Sequence, residues 1–220
     1  ILVFCFFYTT TAFSQSDSVK IICSQPSPQI EFGISSIYKA LQNSDVDVQI
    51  ILSKVSDKKT VRSIKKLGIK VNNNLESEGF QIAVSKDKKS IAVLALDDAG
   101  LMYGAFELAE QIMIAGATAV QNTFQNPYMK MRGTKFNIPL DVRTPSYSDV
   151  SDAAQKNMLE MWNFDFWAAY IDSLAHYRYN YISLWSMHPF PSLVKVPEYP
   201  DVALDDVRQS TVNWKENYSL

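Results

Sequence analysis

The fold of this chain is decided by residues 78–114, which read EGFQIAVSKDKKSIAVLALDDAGLMYGAFELAEQIMI. Residues 80–85 and 91–96 alternate with a period of two around a charged turn, which predicts a β-hairpin. Asp97 or Asp98 can cap the helix that follows. Gly100 and Gly104 lie four residues apart in that helix, where glycine costs about 1 kcal/mol relative to alanine. Close packing against a sheet is the natural compensation, so the segment predicts hairpin and helix packed as one unit.

The residues before the hairpin predict two further strands and two helices. Residues 19–24 are almost wholly apolar, as in a strand buried on both faces, and residues 46–55 predict a second strand. Apolar positions between residues 30 and 41 recur at helical spacing, and Gly68 closes a short helix at residues 58–67. The basic run in that helix could bind a polyanion. Its spacing is expected to cover the helix all round, which favours a solvated face. The run comprises Lys58, Lys59, Arg62, Lys65 and Lys66.

The fold class predicted is α/β, in two parts. Residues 18–116 are expected to form a small α+β domain, a β-sheet with helices on one face, and the polar residues 117–128 a linker. Residues 129–220 predict a strand, a helix and a second strand at 181–185, the helix forming the crossover of a parallel pair. We expect this part to be the truncated start of a (β/α)8 TIM barrel, containing its first strands and helix.

The N-terminus predicts export. Residues 1–15 read as a signal peptide whose basic start is missing: residues 1–8 are apolar, and no charge precedes Asp17. Ala12 and Ser14 fit the −3 and −1 positions of a cleavage before Gln15; a buried N-terminal strand is the alternative. A secreted or periplasmic location follows, with Cys23 as the remaining cysteine and therefore no intrachain disulfide.

Composition and motifs limit the classes of partner and cofactor that the chain is expected to bind. A net charge of −2 and a pI near 5.7 give no reason to expect nucleic acid, and the N-terminal apolar run is too short to span a membrane. The sequence contains no phosphate loop, nucleophile elbow or zinc motif, so no cofactor and no metal are predicted. The oligomeric state stays open.

The hairpin–helix segment resembles the N-terminal, non-catalytic domain of family 20 β-N-acetylhexosaminidases and family 67 α-glucuronidases. The resemblance rests on a hairpin that leads into a helix opening with a small residue, Gly100, three intervening residues and Gly104. Residues 131–133, MRG, and 140–143, LDVR, resemble the first barrel strand of family 20. Residues 175–185 resemble the end of the first helix and the second strand. The resemblance implies a glycoside hydrolase with a carbohydrate substrate.

Five residues are candidates for binding substrate, four through the resemblance and Trp185 because the predicted second strand meets its loop there. The resemblance implies that Arg132 grips sugar hydroxyls; the alternative is a salt bridge at the base of the barrel, with Asp141 as a candidate partner. Asp141 and Arg143 match a Leu-Asp-x-x-Arg stretch with one residue fewer between them. Trp185 could stack on a sugar or fill the core, and His188 is an approximate counterpart of a histidine after the second strand.

The function predicted is therefore an exported glycoside hydrolase, or a fragment of one, that hydrolyses O-glycosidic bonds of a polysaccharide or glycoconjugate. Such cleavage usually needs a pair of carboxyl groups. Since only two barrel strands are predicted, the catalytic residues are unknown and expected beyond residue 220. The alternative is a non-catalytic carbohydrate-binding or scaffolding protein.

Overall fold

The computed structural model describes residues 19–42, 46–137, 163–185 and 197–202. The chain divides into two compact units, Ile1–Tyr128 and Met129–Leu220. No helix among the described residues combines the length and apolar character needed to cross a bilayer.

The first unit is built on a five-stranded sheet in the order β1-β2-β4-β3-β5. β1, β2 and β4 run parallel to one another, whereas β3 is antiparallel to both β4 and β5. The elements are β1 (Val19–Cys23), α1 (Pro28–Leu41), β2 (Val48–Lys54), α2 (Lys58–Lys66), β3 (Phe80–Val84), β4 (Ser90–Ala95), α3 (Asp98–Ala115) and β5 (Thr123–Gln125).

The predicted hairpin is confirmed as β3 and β4. Every residue of β4 is buried, because this strand lies between β2 and β3 with helices packed against the sheet. The turn is closed by two buried serines: the backbone N–H of Ser85 donates to the carbonyl of Ser90 at 2.8 Å, and the Ser85 hydroxyl accepts from the N–H of Ser90 at 3.0 Å. The buried polar groups of the turn thus bond to each other.

The cap and the close packing predicted for the third helix are both present. Asp97 is the N-cap of α3, and its carboxylate accepts from the N–H of Gly100 at 2.8 Å. A Cβ on Gly104 would lie 2.6 Å from Cγ1 of Val93, and one on Gly100 would meet the backbone carbonyl oxygen of Gly79. Both glycines are therefore required by the approach of α3 to the hairpin.

The helices lie on both faces of the sheet, not on one as expected. Gly104 places α3 on the face of Val93, whose neighbours in β4, Ala92 and Leu94, point the opposite way. Those neighbours pack in a core with Val61 and Ile64 of α2. The cause is α2. Its two buried residues form a narrow apolar stripe that packs on a sheet face, and its cations remain in water.

The burial of β1 and the extent of the sheet also differ from the prediction. β1 is an edge strand with half-buried residues, because it pairs with β2 on one side only. Residues 117–128, expected to be a linker, include a 3-10 helix (Ala117–Ala119) and β5, which extends the sheet by pairing with β3. The linker prediction was wrong because a three-residue polar edge strand gives no clear period-two signal.

The second unit contains β6 (Gly133–Asn137), α4 (Phe164–His176), β7 (Tyr181–Trp185) and a 3-10 helix, Pro200–Val202. β6 and β7 pair in parallel, as predicted from the helix in their crossover. Phe136 of β6 sits among three aromatic rings of α4, with centroids 5.1–6.1 Å away. The rings are Phe166, Trp167 and Tyr170. No residue of α4 is fully buried, so its apolar stripe remains partly open to solvent.

Candidate functional site

The two ends of the β6–β7 pair set the geometry of the candidate site. The strands are in register from Gly133 opposite Tyr181 to Asn137 opposite Trp185. Because the pair is parallel, Gly133 and Tyr181 mark its amino end and Asn137 and Trp185 its carboxyl end. In (β/α)8 enzymes the catalytic groups gather at the carboxyl ends of the strands. A substrate site on this pair is expected at the Asn137–Trp185 end.

Arg132 lies at the opposite end, immediately before β6. Its guanidinium donates from Nε to the carbonyl of Arg178 at 2.9 Å and from Nη1 to the carbonyl of Met129 at 2.7 Å. The side chain therefore ties the loop after α4 to the segment entering β6. These two bonds go to backbone carbonyls at the amino end of the pair, whereas the predicted salt bridge with Asp141 and the binding of sugar hydroxyls both stay predictions.

Asn180 completes this link between the end of α4 and the segment before β6. Its carboxamide oxygen accepts from the N–H of Arg132 at 2.9 Å, and its Nδ2 donates to the carbonyl of Lys130 at 2.8 Å. The helix before it ends in a Schellman motif: the N–H of Arg178 donates to the carbonyl of Ala175 and that of Tyr179 to Leu174. The signal was an Asn shortly after a helix end, but only the fold shows which strand it reaches.

The remaining predicted site residues are only partly placed. Trp185 closes β7 at the carboxyl end, and nothing of its side chain is described. Asp141, Arg143 and His188 lie outside the described residues. Arg132 and Trp185, two of the five predicted residues, thus lie at opposite ends of the β6–β7 pair.

The first unit has an open polar depression of about 640 Å³ at the carboxyl ends of β2 and β4. Within it Lys54 Nζ lies 2.9 Å from Asp98 Oδ1, and this hydrogen bond lowers the pKa of the Asp98 carboxyl. The Asp97 carboxylate accepts from the Ser77 hydroxyl and the Glu78 N–H as well as from the first turn of α3. These two carboxylates are thus held by Lys54, Ser77 and backbone N–H groups around the start of α3, which is the chemistry of a helix cap.

Two further observations concern reactive groups. Cys23 is half-buried and burial raises the pKa of its thiol, which agrees with a small packing residue and opposes thiolate chemistry. Across the described ranges no group of three His, Cys, Asp or Glu side chains could hold a metal ion.

Comparison with solved structures shows which fold the chain shares. The chain resembles a GH138 enzyme targeting pectin rhamnogalacturonan II, with a TM-score of 0.57 and 21% identity over 86% of this chain and 26% of that one. A GH115 4-O-methyl-α-glucuronidase with specificity for decorated arabinogalactans gives 0.48 and 19% over 77% and 25%. A GH20 β-N-acetylglucosaminidase gives 0.41 and 15% over 77% and 26%. The fold is shared with the first of these.

The family comparison points to the first unit. Residues 30–108 match the family described as Glycosyl hydrolase family 67 N-terminus, a stretch that runs from α1 into α3. The resemblance predicted from the hairpin and the two glycines is thereby confirmed. No curated protein matches the chain. The chain spans about a quarter of the length of the solved enzymes it resembles.

Proposed function

We propose that the chain is the front part of an exported glycoside hydrolase that cleaves O-glycosidic bonds of a polysaccharide or glycoconjugate. The observation that carries this proposal is the family 67 N-terminus match at residues 30–108, in a unit followed along the chain by the parallel β6–α4–β7 unit. A strand–helix–strand unit of this kind is the repeat from which a (β/α)8 barrel is built.

The proposed sugar site lies where β6 and β7 end. There Trp185 would offer an aromatic face to a sugar ring and His188 a hydrogen-bonding ring nitrogen, with Asp141 and Arg143 on the connection after β6. The proposal assigns the catalytic carboxyl pair to further barrel strands, since the described part of the second unit contains two strands. One of that pair must act as an acid and the other as base or nucleophile.

Export is part of the proposal and has its own test. Residues 1–8 are apolar and the small residues Ala12 and Ser14 precede Gln15, as in a secretion signal. The mature protein recovered from the producing cell should begin at Gln15 by N-terminal sequencing. A mature protein that retains residues 1–14 contradicts export by this signal.

Activity is tested on the complete reading frame that encodes this chain. The purified product would be incubated with chromogenic α-glucuronides, β-N-acetylglucosaminides and β-galactosides, and with pectin oligosaccharides. Turnover of at least one substrate is expected, and none by the 220-residue chain alone. Binding of a glycan without turnover by the complete product would instead support a non-catalytic carbohydrate-binding protein and refute the hydrolase.

A further inference from the structure

The strongest charged feature outside the candidate site is one side of α2. Residues 58–70 contain six cations and no acidic residue, in a chain whose net charge is −2. Five of the six lie within α2 and are exposed, whereas Val61 and Ile64 are buried against the sheet. At 100° per residue the five fall within an arc of about 120°. The cations thus form one side, here called the cationic face, and do not cover the helix all round; they are Lys58, Lys59, Arg62, Lys65 and Lys66.

Folding alone does not explain the cationic face. Lys58, Arg62 and Lys66 follow one another at intervals of four residues, where like charges destabilise a helix. Lys58 also lies in the first turn, where the helix dipole disfavours a cation, whereas Lys65 and Lys66 lie in the last turn, where the dipole favours one. No member of the face forms an ion pair with any residue in the part of the chain that the structure describes.

The carboxylate next to the face in sequence, that of Asp57, already accepts hydrogen bonds. Asp57, the N-cap of α2, accepts from the Ser24 and Thr60 hydroxyls and from the N–H groups of Lys59 and Thr60. These bonds use its oxygens on the helix terminus and not on the side chains of the cationic face. The face therefore presents positive charge, without an ion pair to any described residue, over about 12 Å, the rise between the first and last residues of α2.

We propose that the cationic face of α2 binds an acidic polysaccharide through the carboxylates of its uronic acid residues. A row of cations one helical turn apart fits a polymer that carries repeated carboxylates, which lysine and arginine bind by charge-assisted hydrogen bonds. The choice of a glycan rests on the proposed function. The surface would hold substrate polymer on the solvent side of the first unit.

The test measures binding of the 220-residue chain to polygalacturonate by affinity electrophoresis at about 50 mM salt, with neutral dextran as the comparison polymer. The chain should be retarded by polygalacturonate and not by dextran, and retardation should fall at about 500 mM salt, where charges are screened within a few ångströms. The triple variant Lys58→Gln, Arg62→Gln and Lys66→Gln should bind at least about tenfold more weakly, because three cation–carboxylate contacts are removed.

A matched variant distinguishes an effect of the cationic face from an effect of net charge. Lys20→Gln, Lys39→Gln and Lys130→Gln together remove the same charge from exposed positions elsewhere. This protein should keep its affinity within about twofold, as should a Lys58→Arg and Lys66→Arg double variant, which conserves the charge of the face. Far-UV circular dichroism should show all three variants folded, since the substitutions lie on solvent-exposed side chains.

Several results would overturn the proposal. Equal loss of binding in the two triple variants would mean that only net charge matters. Single-stranded DNA or anionic phospholipid vesicles bound as tightly as polygalacturonate would show a general polyanion surface. Binding is measured without turnover, so its absence leaves the hydrolase assay unaffected, and an inactive complete product leaves the binding result standing.

Discussion

Replacing Gly104 by alanine tests the packing on which the first unit depends. The added Cβ would lie 2.6 Å from Cγ1 of Val93 and 3.0 Å from Cβ of Phe80. Val93 is fully buried in the central strand and Phe80 is 2% exposed, so neither can move aside without disturbing the core. The contact is therefore relieved by displacing α3 from the hairpin.

The expected size follows from two opposing effects. Alanine favours a helix over glycine by about 1 kcal/mol. Overpacking of a filled core costs about 1–3 kcal/mol, and contacts this short belong at the upper end of that range. The net loss of unfolding free energy should be about 1–2 kcal/mol. With a urea dependence of about 1–2 kcal/mol per molar, the unfolding midpoint should fall by about 1 M.

The two units can be followed separately during urea unfolding. All four tryptophans lie after residue 129, so their fluorescence reports on the second unit, while far-UV circular dichroism follows both. Gly104→Ala should move the circular dichroism transition and leave the fluorescence midpoint unchanged. Glu110→Ala, on the exposed side of the same helix, is the control and should change stability by less than about 0.5 kcal/mol.

A second glycine sharpens the test. Gly100→Ala should cost more than Gly104→Ala, because its Cβ meets the backbone carbonyl of Gly79 and not only side chains. If Gly104→Ala instead raised the midpoint, as helix propensity alone predicts, α3 would not lie this close to the sheet and the packing described here would be incorrect.

Other predictions concern Arg132, Asp57 and the histidines. Arg132→Ala should lower the fluorescence midpoint, at a cost of about 1–2 kcal/mol for two partly solvated hydrogen bonds, with KM of the complete enzyme unchanged; a raised KM with an unchanged midpoint would show a substrate ligand instead. Hydrogen bonds from Ser24 and then Thr60 lower the pKa of Asp57 from 3.8 to about 2, so its charge stabilises the fold above pH 3.8 and this contribution disappears as the pH falls to about 2. Asp57→Asn should therefore be less stable than wild type at pH 5 and approach it near pH 2 by urea titration; an equal difference at both pH values contradicts this. In the complete enzyme His188→Ala should lower kcat/KM at least about tenfold while His176→Ala, the other histidine, should not; equal effects would remove His188 from the site.

The sequence predicted the local features of the first unit because their causes are local. The hairpin, the Asp97 cap and the left-handed Gly68 (φ +78°) each depend on a few neighbouring residues. Of the predicted site residues, the structure describes the side chain of Arg132 alone. Its membership of a site could not be read from the motif, since the motif does not say at which end of the strand its side chain acts.

Local patterning by itself therefore determined which segments become strands and helices, and the two glycines revealed that one helix must touch a sheet. The tertiary structure alone decided which sheet face each helix covers, that a short polar segment becomes the edge strand β5, and that Arg132 and Trp185 stand at opposite ends of a parallel pair. The physical reason is range: turns, caps and periodicity are set by residues a few positions apart. Strand order and the partners of Arg132, 46 positions away at Arg178, follow from burying the whole apolar surface at once.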